Sequence, residues 1–128
     1  NLNFSASSPS KTVEDHINTV VRNAIRDDFE PRYGVDTRAA DRDSASSMIS
    51  GLAGFLARNR DQHPGKLVLL IDEYDALINE ALVDLSRSGD HDSFHAIAGG
   101  YRAFFESLKI AVAKGMLDRV LVTGVTPL

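Results

Sequence analysis

Residues 67–75 read Leu-Val-Leu-Leu-Ile-Asp-Glu-Tyr-Asp, and this stretch decides the expected fold. Five apolar residues in a row lie between the turn-forming pair Pro64-Gly65 and the acidic pair Asp72-Glu73. A short apolar run with such boundaries is typical of a parallel β-strand that is buried on both faces of an α/β sheet. We therefore predict a strand over residues 66–71.

Segments on either side of this strand alternate between strand and helix patterns. We predict strands over residues 1–5, 66–71 and 120–123, and helices over 12–29, 44–62, 75–87 and 93–114. Pro31 and Gly34 are predicted to end the first helix, with a loop over residues 31–43. Because helices separate the successive strands, the predicted fold class is α/β, with three parallel strands and flanking helices.

The composition excludes several classes of site. With 128 residues, 43% of them hydrophobic and 25% charged, the chain has ordinary globular usage. The absence of cysteine excludes disulfides, a thiol nucleophile and cysteine-ligated metals. A net charge of −4 gives no electrostatic reason to expect nucleic-acid binding. The longest apolar run is far shorter than the ~20 residues of a membrane span, and we expect an intracellular protein, cytoplasmic or nuclear.

The acidic end of the 67–75 stretch is the pattern that points to chemistry. An apolar strand ending in Asp-Glu is typical of the Walker B segment of P-loop ATPases. The carboxyl ends of parallel strands line the ligand crevice of an open sheet, where Asp72 is a candidate Mg²⁺ ligand. Glu73 is the candidate to orient and polarise the water that attacks the γ-phosphate of ATP. The same residues also fit a plain strand followed by an acidic helix N-cap at Asp75.

A second apolar strand ends in a polar residue at Thr123, before Gly124. In ASCE-type ATPases, the strand that follows Walker B ends in a polar sensor residue that contacts the γ-phosphate or the attacking water. Thr123 occupies the corresponding place and is a second candidate catalytic residue. The plainer alternative is a strand-terminal threonine before a glycine turn.

Four segments together resemble the AAA-ATPase-like domain family. They are residues 2–5 (LNFS), 70–75 (LIDEYD), 101–109 (YRAFFESLK) and 121–126 (LVTGVT). Where the family often has Lys-Pro after DEYD, this chain has Ala76-Leu77. The resemblance implies a partial, three-layer P-loop NTPase-like fold that uses Mg²⁺ and ATP. The family's strand order further implies that the strand over 67–71 is central.

No G-x-x-x-x-G-K-[ST] motif occurs in the chain, so the phosphate-binding Walker A loop is missing. We therefore expect residues 1–128 to be an incomplete AAA-ATPase-like domain that does not bind ATP measurably by itself. The resemblance implies that Walker A lies upstream of Asn1. A PD-(D/E)XK nuclease-like domain, which the family often carries, would lie downstream of Leu128.

Two other functions fit parts of the sequence. The first is a degenerate ATPase-like module that acts as a regulatory or protein-interaction scaffold, with a partner that the sequence does not identify. The second is an acid-dependent nuclease that uses Asp72, Glu73 and Asp75, which is disfavoured because no strand carries a lysine two residues after an acid. His91 and His95 have metal-ligand spacing on a helix, although a polar helix start explains them more simply.

Overall fold

A three-stranded parallel sheet forms the centre of the molecule. The structure, a computed structural model, describes residues 1–4, 13–37 and 44–124. The strands are β1 (Leu2–Asn3), β2 (Leu67–Asp72) and β3 (Leu117–Val122), in the order β1-β2-β3. Both pairings are parallel, which confirms the predicted fold class and the central position of the 67–71 strand.

The described residues form five α-helices in addition to this sheet. They are α1 (Val13–Ala24), α2 (Glu30–Tyr33), α3 (Ala45–Arg58), α4 (Ala76–Ser88) and α5 (His91–Ala113). Two of them begin at capping side chains that accept a backbone N–H bond, Ser44 before α3 and Asp90 before α5. The Ser44 start is as predicted, but α3 ends four residues before Gln62. Within the described ranges, no helix has both the length and the apolar character needed to cross a bilayer.

The hydrophobic core lies on one face of the sheet. Leu69 and Ile71 of β2 are buried there, and α1, α3 and α5 pack against the three strands. Phe4, which follows β1, is buried among aromatic side chains of α5, with ring centroids 5.6 Å from Tyr101 and 6.4 Å from Phe104. This packing fixes the positions of the strand ends relative to one another.

The prediction that the 66–71 strand is buried on both faces is wrong. Val68 is 41% exposed and Leu70 is 45% exposed. Leu121, which lies beside Leu70 in β3, is 53% exposed. Side chains alternate along a strand, so these residues share the face opposite to the core. In the part of the chain that the structure describes, α4 packs chiefly against α5 rather than over this second face.

Pro31 is expected to end the first helix together with Gly34, but the chain remains helical through Pro31. The chain passes through a π-helical turn, Ile25–Phe29, and continues as α2 to Tyr33. The wider turn lets the backbone N–H of Glu30 bond to the carbonyl of Ile25, so Pro31 enters at the start of a new helical segment, where its missing N–H costs little. Gly34 ends that segment in a left-handed conformation with φ 65°, as predicted. Residues 38–43 of the predicted loop and Thr12, the first residue of the helix predicted over 12–29, lie outside the described residues.

Candidate active site at the carboxyl ends of the strands

Three polar residues line up where the three strands end. Asn3 of β1 lies opposite Asp72 of β2 in the parallel register. Ile71 pairs with Val122, which places Thr123, the next residue along, beside Asp72. The backbone N–H of Thr123 donates to the carbonyl oxygen of Ile71 at 2.8 Å, so the pairing of β2 and β3 extends to this point.

The structure brings together two of the three predicted site residues by a direct bond. The Thr123 hydroxyl donates a hydrogen bond to Oδ1 of Asp72, 51 residues away in the chain. Asp72 is half-buried and Thr123 is exposed, so the pair lies at the surface. A carboxylate and a hydroxyl at an accessible strand end are hard oxygen donors of the kind that Mg²⁺ prefers.

Glu73, the third predicted site residue, lies next to this pair in an unusual backbone conformation. Its φ is 51°, and it is the one non-glycine residue with positive φ in the described part of the chain. A side chain other than glycine is uncommon in this region of φ/ψ space, and such residues cluster at functional sites. Glu73 is exposed, immediately after the last residue of β2.

Tyr74 and Asp75 turn away from solvent directly after Glu73. Tyr74 is 6% exposed and Asp75 is 2% exposed. Burial raises the pKa of the Tyr74 phenol above its usual value, and the charge of Asp75 adds to the effect. Asp75 occupies the N-cap position of α4 but makes no capping bond with its side chain. Nδ2 of Asn79 instead donates to Oδ2 of Asp75 at 3.2 Å.

Sequence reasoning missed two features of this site. The strand pattern over residues 1–5 assigns Asn3 no role in the site, although the alignment of parallel strand ends indicates its place beside Asp72. The sequence pattern indicates only a turn at Gly124, but a β-carbon at this position would lie 2.5–2.6 Å from atoms of Tyr74 and Asp75. A glycine directly after a strand can mark such a close approach.

The other candidates of the sequence do not form a second site. His91 and His95 are exposed on the first turns of α5, and the described residues contain no cluster of three or more potential metal ligands. Arg119 is exposed near the start of β3 and pairs with Asp118 at 2.9 Å. It lies in the half of β3 that is farther from Thr123, so it does not join the residues at the strand ends.

The family model described as "Predicted AAA-ATPase" matches residues 1–128. No curated protein and no solved structure matches the chain significantly.

Proposed function

The chain belongs to the predicted AAA-ATPase family, and from this premise we propose that it supplies the metal-binding and water-activating part of an ATP-hydrolysing site. The observation that carries the proposal is the hydrogen bond from Thr123 to Asp72 across two neighbouring strand ends. In open parallel sheets, ligands bind outside the carboxyl ends of the strands. The bond lies at that edge, next to the exposed carboxylate of Glu73.

Asp72 is the residue that would hold Mg²⁺ in this proposal. Mg²⁺ binds proteins through one or two carboxylates, keeps several waters and neutralises charge on the phosphates of its nucleotide. A half-buried carboxylate with an accessible neighbourhood fits this mode of binding. Thr123 orients the Asp72 carboxylate through its hydroxyl in this structure, and as a sensor it would donate the same proton to the γ-phosphate once Mg²⁺ and nucleotide occupy the site.

Glu73 would orient and polarise the attacking water. It follows Asp72 directly, but the positive φ at Glu73 changes the chain direction, so the two carboxylates leave the strand end differently. Separate directions allow one carboxylate to serve the metal and the other to accept a proton from water. A backbone conformation that is unfavourable for glutamate is consistent with a functional requirement at this position.

The 128 residues contain no G-x-x-x-x-G-K-[ST] motif, which supplies most contacts to the β- and γ-phosphates in P-loop proteins. We therefore propose that hydrolysis takes place in a chain that also contains such a loop. A degenerate module without hydrolysis is the second candidate, favoured by the same missing motif. The acid-dependent nuclease has less support, because Asp75 is buried and bonded to Asn79 rather than exposed with Asp72 and Glu73.

Two measurements test the proposal. Titration of this chain with labelled ATP and Mg²⁺ should show no binding in the micromolar range, and micromolar affinity would contradict the expected need for a phosphate-binding loop.

In a longer natural chain that contains the loop, Glu73→Gln should lower ATP turnover by about 100-fold or more, the usual contribution of a general base. The control Glu106→Gln changes an exposed glutamate of α5 and should leave turnover unchanged. Unchanged turnover in Glu73→Gln would show that Glu73 is not the catalytic group, and absence of turnover in the parent would favour the degenerate module.

A further inference from the structure

Residues 72–75 (Asp-Glu-Tyr-Asp) form an acidic tetrad. Its second half, Tyr74-Asp75, is buried against the segment that follows β3. Both side chains are almost fully inaccessible, although they directly follow two residues at the surface. A carboxylate that leaves water needs hydrogen-bond partners, and Asn79 supplies one to Asp75. Asp75 therefore has a structural partner on α4 and, because it is buried, is not an accessible carboxylate like that of Glu73.

Gly124 fits into the space left by these two side chains. A β-carbon on Gly124 would lie 2.5 Å from Cε1 of Tyr74 and 2.6 Å from Oδ1 of Asp75. These separations are far shorter than van der Waals contact, so any larger residue would force the strand end or the tetrad to move. Gly124 is exposed on its other side, but the side that would carry a β-carbon lies directly against Tyr74 and Asp75.

The residue before Gly124 is held by the same segment through its backbone. The N–H of Thr123 donates to the carbonyl of Ile71 at 2.8 Å, and the carbonyl of Thr123 accepts from the N–H of Tyr74 at 3.2 Å. The Thr123 hydroxyl at the same time donates to Asp72. Thr123 therefore makes three hydrogen bonds to residues of the 71–74 segment.

We propose that Tyr74, Asp75 and Gly124 form a clamp that holds Thr123 against Asp72. Asp75 is then a positioning residue, which acts through Gly124 and Thr123 and does not touch metal or nucleotide. The purpose of the clamp rests on the function proposed above. The existence of the clamp does not depend on that function. Residues 72–75 therefore divide into a half-buried Asp72 and an exposed Glu73 for chemistry, and a buried Tyr74 and Asp75 that fix the neighbouring strand.

Amide hydrogen exchange of the 128-residue chain, measured by NMR, tests the clamp. In Gly124→Ala, the amides of Thr123 and Tyr74 should exchange about tenfold faster or more, because local opening exposes their hydrogen bonds. Core amides of α1 and α3 should keep their protection. The control Gly99→Ala adds the same methyl group where no atom lies within 4 Å, and Thr123 should exchange as in the parent.

Asp75→Asn is the second variant, because it preserves the size of the side chain and removes its charge and one acceptor. It should also accelerate exchange at Thr123 without a general loss of protection. Parental exchange at Thr123 in both variants would overturn the proposal. Uniform loss of protection, or failure of both variants to fold, would also overturn it, since these residues would then support the whole fold rather than one strand end.

Mn²⁺ alone serves as the probe that separates the clamp from the proposed function. In the parent chain, Mn²⁺ should broaden the signals of Thr123 and Gly124, and Asp75→Asn should weaken this effect although residue 75 is buried. The control Asp92→Asn changes an exposed acid of α5 and should leave the broadening unchanged. Absence of broadening in the parent would count against metal binding at Asp72, while the exchange data would still decide whether the clamp exists.

Discussion

At the scale of single residues, Glu73 carries a conformational cost that a purely structural strand end would not need. Its φ of 51° favours glycine, which adopts this region without the steric penalty of a β-carbon. We expect Glu73→Gly to raise the free energy of unfolding by about 1 kcal/mol. Glu73→Gln keeps the penalty and should leave stability unchanged. Urea unfolding of the three chains measures this difference, and equal stability of the glycine variant would show that Glu73 is not strained.

His16 is the second residue with a measurable consequence, because it is a buried histidine of α1. Burial lowers its pKa below 6.5, and the charge of Glu80 offsets only part of this effect. Its Nε2 has no hydrogen-bond partner among the described residues, so a proton there would leave a buried charge poorly compensated. The unfolded chain takes up this proton near pH 6.5 and the folded chain resists it. Stability should therefore fall as the pH decreases below about 6.5, with no contribution from His16 above that value.

The measurement for His16 is the free energy of unfolding at pH 7.5 and pH 5.5. His16→Leu should lose less stability than the parent between these two values. The control His95→Gln changes an exposed histidine and should retain the parental loss. An identical pH dependence in His16→Leu and the parent would show that other groups cause the acid sensitivity.

At the scale of secondary-structure elements, the adjacent glycines of α5 have different surroundings. A β-carbon on Gly100 would overlap the Val13 side chain of α1, whereas one on Gly99 would meet no atom within 4 Å. Gly100→Ala should therefore destabilise the fold by about 1–3 kcal/mol through overpacking. Gly99→Ala should stabilise it by up to about 1 kcal/mol through helix propensity. Thermal unfolding of both variants checks the opposite signs, and Val13→Ala should reduce the cost of Gly100→Ala. Equal effects of the two glycine substitutions would contradict close packing of α1 on α5.

Elements with a strong local signal could be predicted from the sequence. The apolar run before Asp72 and the capping Ser44 each determine a strand or a helix start with little help from the rest of the chain. The continuation of the helix through Pro31 could not be predicted, because a π-helical turn depends on several residues and has no simple pattern. The burial of Asp75 and the approach of Gly124 depend on contacts across about 50 residues, which neither segment reveals by itself.

At the scale of the whole molecule, the sheet has a core face and an apolar face that is open to solvent. Val68, Leu70 and Leu121 are each more than 40% exposed, and Leu70 and Leu121 are neighbours in the register. Adjacent exposed apolar side chains of this size favour association, since contact with another molecule removes them from water. We therefore expect the 128-residue chain to self-associate as its concentration rises.

Replacement of Leu70 and Leu121 by threonine tests whether this face causes the association. Threonine retains a high preference for strands, and both positions are about half exposed, so the free energy of unfolding should change by less than about 1 kcal/mol per site. Sedimentation velocity over a range of concentrations should show that the double variant associates less than the parent. The matched control Leu69→Thr changes a buried residue of the same strand, and it should destabilise the fold by about 2–4 kcal/mol because it places a hydroxyl in the core. If the double variant associates as strongly as the parent, another surface must be responsible, such as the edge of β3 that pairs with no strand of the described residues. A strand edge of this kind offers backbone hydrogen bonds that substitutions on the sheet face leave intact.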